Sequence, residues 1–328
     1  MYELAIGAII VALIFDFING FHDAANSIAT VVGTRVLKPL HAVSLAAMAN
    51  FVGPFIFGVA VATTIGKGII DPDFVTIHIV IAALFGAIIW NLITWWLGLP
   101  SSSSHALVGG IIGAGIAGAG IHAILFGGLE KVLTGILVSP IVGLIGAFLL
   151  ATFIVKAFAK KNPANVNSAF GKLQLVSATY FSLTHGANDG QKTMGIIVLI
   201  LLTEGVLTTF EVPFWVILIA AMAISLGTFF GGWRIVKTMG ARITQLKPYQ
   251  GFAAETSGAT ILAVLAHVGI PASTTHAISG SIMGAGAVRR LSAVRWGIGK
   301  RIVWAWIITI PASAAISFLI MTLFKFFV

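Results

Sequence analysis

Long apolar stretches separated by short polar ones run the length of the chain, and they set its plan. Predominantly apolar runs of about 18 residues or more recur throughout, each enough to cross a bilayer as a helix. They predict spans at 3–33, 40–65, 75–98, 105–128 and 132–156, and again at 173–203, 213–232, 251–269, 272–288 and 302–326. The short alternating segments of a transmembrane barrel are absent. The expectation is an all-α polytopic membrane protein of about 10 transmembrane spans.

Composition agrees. Of the 328 residues 58% are hydrophobic and only 9% charged, against about a quarter charged in a soluble domain. No Lys or Arg precedes the first apolar run, and its length exceeds that of a signal peptide, so it reads as a retained span. With no cysteine, disulfide and thiol chemistry are excluded. The net charge of +9 sorts into alternate loops: Arg35 and Lys38; Lys156, Lys160, Lys161 and Lys172; Arg234, Lys237, Arg242 and Lys247; Arg289, Arg290, Arg295, Lys300 and Arg301. The other loops carry Asp71, Asp73, Glu130, Glu204 and Glu211. Basic loops mark the cytoplasmic face, so the positive charge argues for membrane orientation and against nucleic acid, and it puts both termini outside.

Each half has an odd number of crossings. The halves at 1–155 and 173–328 are therefore expected as two inverted-topology repeats, joined by a cytoplasmic linker at 156–172. Sequence repetition supports the duplication. PSSSSHALVGGIIGAG from Pro100 and PASTTHAISGSIMGAG from Pro271 share nine of sixteen positions. Each has an upstream partner, NGFHDAAN at 19–26 and HGANDGQK at 185–192.

Proline, several hydroxyls and then a Gly/Ala-rich helical run read as a helix N-terminus, where free N–H groups and the helix dipole favour an anion. The plainer reading, capping alone, suits one copy better than two in opposed helices. Gly109, Gly113 and Gly284 read as close helix packing rather than ligand contact. Asp23 and Asp189, and more weakly Asp16, are ionisable groups inside apolar spans and hence functional candidates. Their Gly/Ala/Asn/His setting suits broken or re-entrant helices, where carbonyls, a carboxylate and an amide hold Na⁺ or the carboxylate carries a proton. Asn26 answers to Lys192 in the second half, and a fixed ammonium there opposes a nearby Na⁺ and favours proton coupling. His22, His105, His185 and His276 lie in the motifs and serve equally well as structural hydrogen-bonding groups. Glu255 opens a span as a coupling group or an interfacial one, and six tryptophans, Trp90, Trp95, Trp96, Trp233, Trp304 and Trp306, mostly fit interfacial belts.

NGFHDAANSIATVV and THGANDGQKTMG resemble the two signature motifs of the inorganic phosphate transporter family. LPSSSSHALVGG and IPASTTHAISG resemble its paired Ser/Thr-rich segments, and the likeness extends over essentially the whole chain. It implies a secondary transporter in the cell membrane, a symporter that imports inorganic phosphate with H⁺ or Na⁺, has no other cofactor, and assembles as a homodimer among lipids. At matching positions it implies phosphate binding at Ser102, Ser103, Ser104, Ser273, Thr274 and Thr275. It implies cation coupling at Asp23, Asn26, Asn188, Asp189 and Lys192, with Asp23, Asn26 and Asp189 as ligands if the cation is Na⁺. Many members have Asn where this chain has Lys192, and the GQK form resembles the bacterial low-affinity, proton-coupled branch.

Phosphate at neutral pH keeps a P–OH that can donate to a buried carboxylate, whereas sulfate has none, so phosphate is the expected substrate. Whether it travels alone or as a divalent-metal complex stays open. The alternatives are a sulfate or other oxyanion symporter, an uncoupled channel, and an intramembrane serine hydrolase, for which no nucleophile elbow is present. The expectation is a transporter rather than an enzyme.

Overall fold

The structure, a computed structural model, describes residues 2–327. The first half contains α1 (Tyr2–Gly33), α2 (Pro39–Ile56), α3 (Ala60–Lys67), α4 (Ile77–Leu97), α5 (Ser103–Ala119) and α6 (Phe126–Ala157). The second contains α7 (Pro163–Thr203), α8 (Phe214–Phe230), α9 (Trp233–Lys237), α10 (Pro248–His267), α11 (Thr274–Ala287) and α12 (Trp296–Phe327). Among the described residues the only β pairing is an isolated bridge between Ile70 and Ile124. The chain is an all-helical membrane protein.

Most expected spans fall on helices within a few residues, but three features differ. The span at 40–65 is broken between α2 and α3, where Gly58 turns the chain with φ 75°. The loop expected after residue 232 instead begins with α9 and a π-helical turn, Thr238–Arg242, bent by 58° from α8 at Gly231 (φ 67°). Such φ values suit glycine, which lacks the Cβ that strains other residues there. The expected linker at 156–172 is mostly helix: α6 ends at Ala157, and Asn162 caps α7 by accepting from the Ala164 N–H at 2.9 Å.

By length and composition alone, α1, α2, α4, α6 and α12 can cross a membrane, and α8 with its bent continuation makes a sixth. That is fewer than the roughly ten spans expected, for two physical reasons. The helices α7 and α10 carry buried polar side chains that lower their hydropathy. The helices α5 and α11 have 17 and 14 residues. At 1.5 Å per residue they reach about 25 and 21 Å, short of a hydrocarbon core of about 30 Å. Both begin inside the protein.

The apolar core is split into two clusters. The helix α1 gives Ala5, Ala8, Ala12 and Phe15 to one cluster and Ala25, Ile28, Ala29 and Val31 to the other. In reverse order, α7 gives Ala178 and Phe181 to the second cluster and Met194, Ile196 and Ile197 to the first. The two helices therefore run antiparallel, and their motifs lie in a polar layer between the clusters; both run unbroken through Asp23 and Asp189, where broken or re-entrant helices were expected, and the interrupted helices at this layer are α5 and α11. Packing is reciprocal: α1 against α8 and α7 against α2, α5 against α12 and α11 against α6. Glycine allows the closest approaches. A Cβ on Gly20 would lie 2.2 Å from the Ile224 carbonyl oxygen, and one on Gly186 would lie 2.3 Å from that of Asn50. Gly109, Gly113 and Gly284 likewise abut the carbonyls of Ile310, Ala314 and Leu144, so they serve packing, as expected.

Candidate functional site

On α1, Asp16, Asn19, Asp23, Asn26 and Thr30 recur at spacings of three and four residues and form one polar stripe, all of it buried. On α7 the corresponding face carries His185, Asp189 and Lys192, also buried. The N-termini of α5 and α11 meet these stripes. Their first turns are built alike: Ser102 accepts from the His105 N–H at 3.3 Å, and Ser273 accepts from the His276 N–H at 3.2 Å. The oxygens of these two serines, both expected as phosphate ligands, cap the helices while their O–H groups remain available as donors. The hydroxyls of Ser104, Thr274 and Thr275 contact the centre, and Ser103, also buried, makes no hydrogen bond.

Two carboxylates and four hydroxyl-bearing residues thus converge from four helices. Asn26 Nδ2 donates to Thr275 Oγ1 at 2.9 Å and to Thr274 Oγ1 at 3.2 Å. Thr275 Oγ1 lies 3.4 Å from Asp23 Oδ1, and Thr274 Oγ1 lies 3.4 Å from Asp189 Oδ2. Lys192 Nζ donates to both Asp189 and Ser104, and Ser104 Oγ donates to the Ala272 carbonyl at 3.3 Å. Asp23, His185 and Asp189 each offer a ligand atom, all within 4.8 Å of one another. The cation-coupling and phosphate candidates therefore occupy one centre. Asn188 is turned aside, donating to the carbonyls of Thr184 and Leu262 at 3.2 Å each.

The matching arrangement in the two halves is informative. In the duplicated motifs Asp23 answers to Asp189, Asn26 to Lys192 and Ser104 to Thr275. Asn26 reaches Thr275 in the other half, and Lys192 reaches Ser104 in the other half. One neutral amide and one ammonium thus perform the same crossing contact. A buried ammonium needs a carboxylate partner, and Lys192 has Asp189 three residues earlier on its own helix.

A histidine lies against each carboxylate, and His22 bonds to its own. His22 Nδ1 donates to Asp23 Oδ1 at 2.7 Å, and its Nε2 lies 3.0 Å from Thr94 Oγ1 and 3.3 Å from Ser101 Oγ. His185 Nε2 lies 3.3 Å from Asp189 Oδ2, and its Nδ1 bonds to Asn50 Oδ1 at 3.1 Å. Asn50 in turn donates to Thr228 at 2.8 Å. Sequence reasoning missed Asn50, Thr94, Ser101 and Thr228. The lone amide Asn50 in an apolar run was the available signal. His105 and His276 pack against each other, ring centroids 4.4 Å apart, behind the centre. Trp306 stacks on His276 at 3.8 Å and donates to the Pro100 carbonyl at 3.1 Å. Trp306 is thus an internal brace, and Trp90, donating to Thr309 at 3.0 Å, is another.

The stripe on α1 continues past the centre. Thr34 donates to Gln174 at 2.9 Å, and Gln174 donates to Glu255 at 2.9 Å, with Ser177 as Glu255's second donor. Glu255 is therefore buried inside, not interfacial. Beside this end of α1 lies a cavity of about 680 Å³ whose walls include Ala29, Gly33, Arg35, Lys237 and Lys247. Its cationic rim attracts anions toward the polar stripe.

Comparison with known proteins places this geometry. Residues 19–317 match the phosphate transporter family. The chain is 55% identical, over 96% of its length and 95% of the relative's, to a probable low-affinity inorganic phosphate transporter of Rhizobium meliloti (strain 1021). It is 46% identical to a protein of the same description from Bacillus subtilis (strain 168), over 95% of each. A solved structure described as the sodium-dependent phosphate transporter superposes with TM-score 0.88 at 28% identity, covering 99% of this chain and 100% of the other.

Proposed function

This chain belongs to the phosphate transporter family, and from that premise we propose that it is a proton-coupled symporter that imports inorganic phosphate by alternating access. It is a transporter, not an enzyme. The two halves act as inverted repeats that rock about the shared centre, in an assembly of two copies in the cell membrane. The antiparallel course of α1 and α7 and their reciprocal packing support this reading.

Phosphate is held between the N-terminal turns of α5 and α11, where N–H groups, Ser103, Ser104, Thr274 and Thr275 donate to its oxygens. Its P–OH donates to Asp23 or Asp189, and that contact selects phosphate over sulfate, which has no proton to give. Lys192 supplies a charge-assisted donor to the anion. Phosphate then takes the hydroxyls now held by Asn26 and Lys192, and those two side chains turn to the ligand.

One observation carries the choice of proton: Lys192 bridges Asp189 and Ser104 where the first half has Asn26 bridging to Thr275. A resident ammonium takes the place of a mobile cation at that carboxylate and repels another beside it. The second reading is Na⁺ coupling, favoured by the Asp23–His185–Asp189 cluster and by the sodium-dependent structural relative. Uptake of labelled phosphate into proteoliposomes, with Na⁺ and pH gradients imposed separately, decides between them. Proton coupling predicts accumulation with acid outside and no Na⁺. Accumulation that needs Na⁺ and ignores the pH gradient removes it.

A further inference from the structure

The centre described above uses Asp23 and Asp189 but leaves one carboxylate of α1 without a role. Asp16 lies seven residues before Asp23 on the same stripe, about 10 Å along the helix, and is completely buried. Neither of its carboxylate oxygens makes a well-formed hydrogen bond. Asn19 on α1 and Thr193 on α7 are the polar side chains that face it, and the side-chain nitrogen and oxygen of Asn19 and the hydroxyl of Thr193 are equally without one. Four oxygens and one amide nitrogen thus form a second buried polar site beside the first. A carboxylate in such a place is costly unless its charge is met.

The duplication explains why it is there. The place matching Asp16 in the second half is Ser182, whose hydroxyl only bonds back to the Ala178 carbonyl at 2.8 Å. Among fixed charges the motif stripes of the two halves thus differ by one carboxylate, Asp16, and one ammonium, Lys192; Asn19 is also answered by His185 and Thr30 by Ile196. The two additions lie on packed antiparallel helices, and Asp189 and Lys192 are the α7 charges whose fields reach Asp16. The motifs also carry His185 on α7 and His22 and Asp23 on α1. Of the other helices packed on α1, α8 has no titratable side chain; α4 has His78 and α2 His41 in their first turns, α5 has His105, α11 His276, α9 Arg234 and Lys237, and α10 Tyr249, Glu255 and His267. Lys192 is committed to Asp189 by direct contact. Asp16 shares the field of that ammonium without being bonded to it, and so its oxygens are free to bind and release.

We propose that Asp16, framed by Asn19 and Thr193, is the group that takes up and releases the coupling proton, while Lys192 keeps Asp189 ionised through the transport cycle. The proposal rests on the proton-symport reading. A proton from water on one side adds to a carboxylate oxygen of Asp16, and the neutral acid donates to Asn19 Oδ1 or Thr193 Oγ1. With Asp16 neutral, phosphate can enter a centre whose two carboxylates and one ammonium no longer have a third carboxylate beside them. After reorientation and phosphate release, the same proton leaves to water on the other side.

The test separates coupling from binding. In proteoliposomes, Asp16→Asn should exchange labelled phosphate for internal phosphate, at equal pH on both sides, within about twofold of wild type. Its accumulation driven by external acid should fall at least tenfold, and phosphate entry should no longer alkalinise the external medium. Asp16→Ser, which copies the second half, should behave the same, and Asp16→Glu should retain driven accumulation. Wild-type accumulation in Asp16→Asn or Asp16→Ser overturns the assignment. So does loss of exchange in both variants when they elute as monodisperse folded protein, because Asp16 then belongs to the phosphate site. Exchange that becomes Na⁺-dependent in wild type and Na⁺-independent in Asp16→Asn also overturns it. Failure of wild type itself to respond to a pH gradient is a separate result, and it strikes the symport reading instead.

Discussion

Asn26 on α1 and Lys192 on α7 stand at matching places and make the same crossing contact, Asn26 to Thr275 and Lys192 to Ser104. The difference between them is one positive charge, and it can be removed without disturbing the duplication. Lys192→Asn should abolish accumulation driven by a pH gradient and make phosphate exchange respond to Na⁺. Parallel flux assays with Na⁺ and with choline would register the change. A variant that still follows the pH gradient and ignores Na⁺ would refute the role given to this ammonium.

Stability should track the same pair. Lys192→Met leaves Asp189 buried without its cation, and breaking a buried pair on one side costs about 3–5 kcal/mol. Lys192→Met/Asp189→Asn should recover much of that loss. Thermal unfolding of the purified variants in detergent, followed by tryptophan fluorescence, would rank them. A double variant no more stable than the single one would contradict this account.

The proposed phosphate site separates hydroxyls that contact the centre, Ser104 and Thr275, from those that cap its helices, Ser102 and Ser273. Ser104→Ala and Thr275→Ala should each weaken phosphate by about 10- to 100-fold, the equivalent of a hydrogen bond to a charged group at about 1.5–3 kcal/mol. Ser102→Ala and Ser273→Ala remove helix caps instead and should lower stability by about 1 kcal/mol with a much smaller effect on KM. Uptake kinetics alongside melting curves would distinguish the two classes.

Both carboxylates of the centre should be indispensable. Asp23→Asn and Asp189→Asn should abolish phosphate uptake in protein that still folds. Sulfate in excess should not compete with phosphate in wild type, because it offers no proton to either carboxylate. Near-normal transport by both variants, or strong sulfate inhibition, would count against the selectivity argument.

Hydrophobic patterning made the helices legible, since a span needs a long apolar run and the chain has little else. It failed at Gly58, which breaks α2 from α3 inside an unbroken apolar run, because one glycine's φ leaves no mark on hydropathy. It also counted α5 and α11 as full spans, although each starts at the central layer. The site was legible where chemistry stood out against apolar neighbours, as at Asp23, Asp189 and the repeated hydroxyls. What the repeat could not foretell was the partner of each group. Thr94 lies 72 residues from His22 and Asn50 lies 135 from His185, so those bonds exist only once the helices are packed. Ser102 and Ser273 show the converse limit, because nothing in the sequence distinguishes a hydroxyl that caps from one that contacts the centre.

The glycines that let α1 and α8 touch have a mechanical meaning. Gly20 sits on the Ile224 carbonyl and Gly227 on that of Phe17, while Gly186 sits on Asn50 and Gly53 on Leu183. With backbones this close, neither couple can slide or swivel internally, and each behaves as a stiff beam. The joints must therefore lie where the beams end, at Gly58 between α2 and α3 and at Gly231 between α8 and α9. These matching elbows lie beside the polar centre: Gly232, next to Gly231, abuts the Phe21 and His22 carbonyls, and Val61, just after Gly58, donates to Gln191 at 2.9 Å. A small rotation at either elbow then becomes a larger sweep at the far end of its beam.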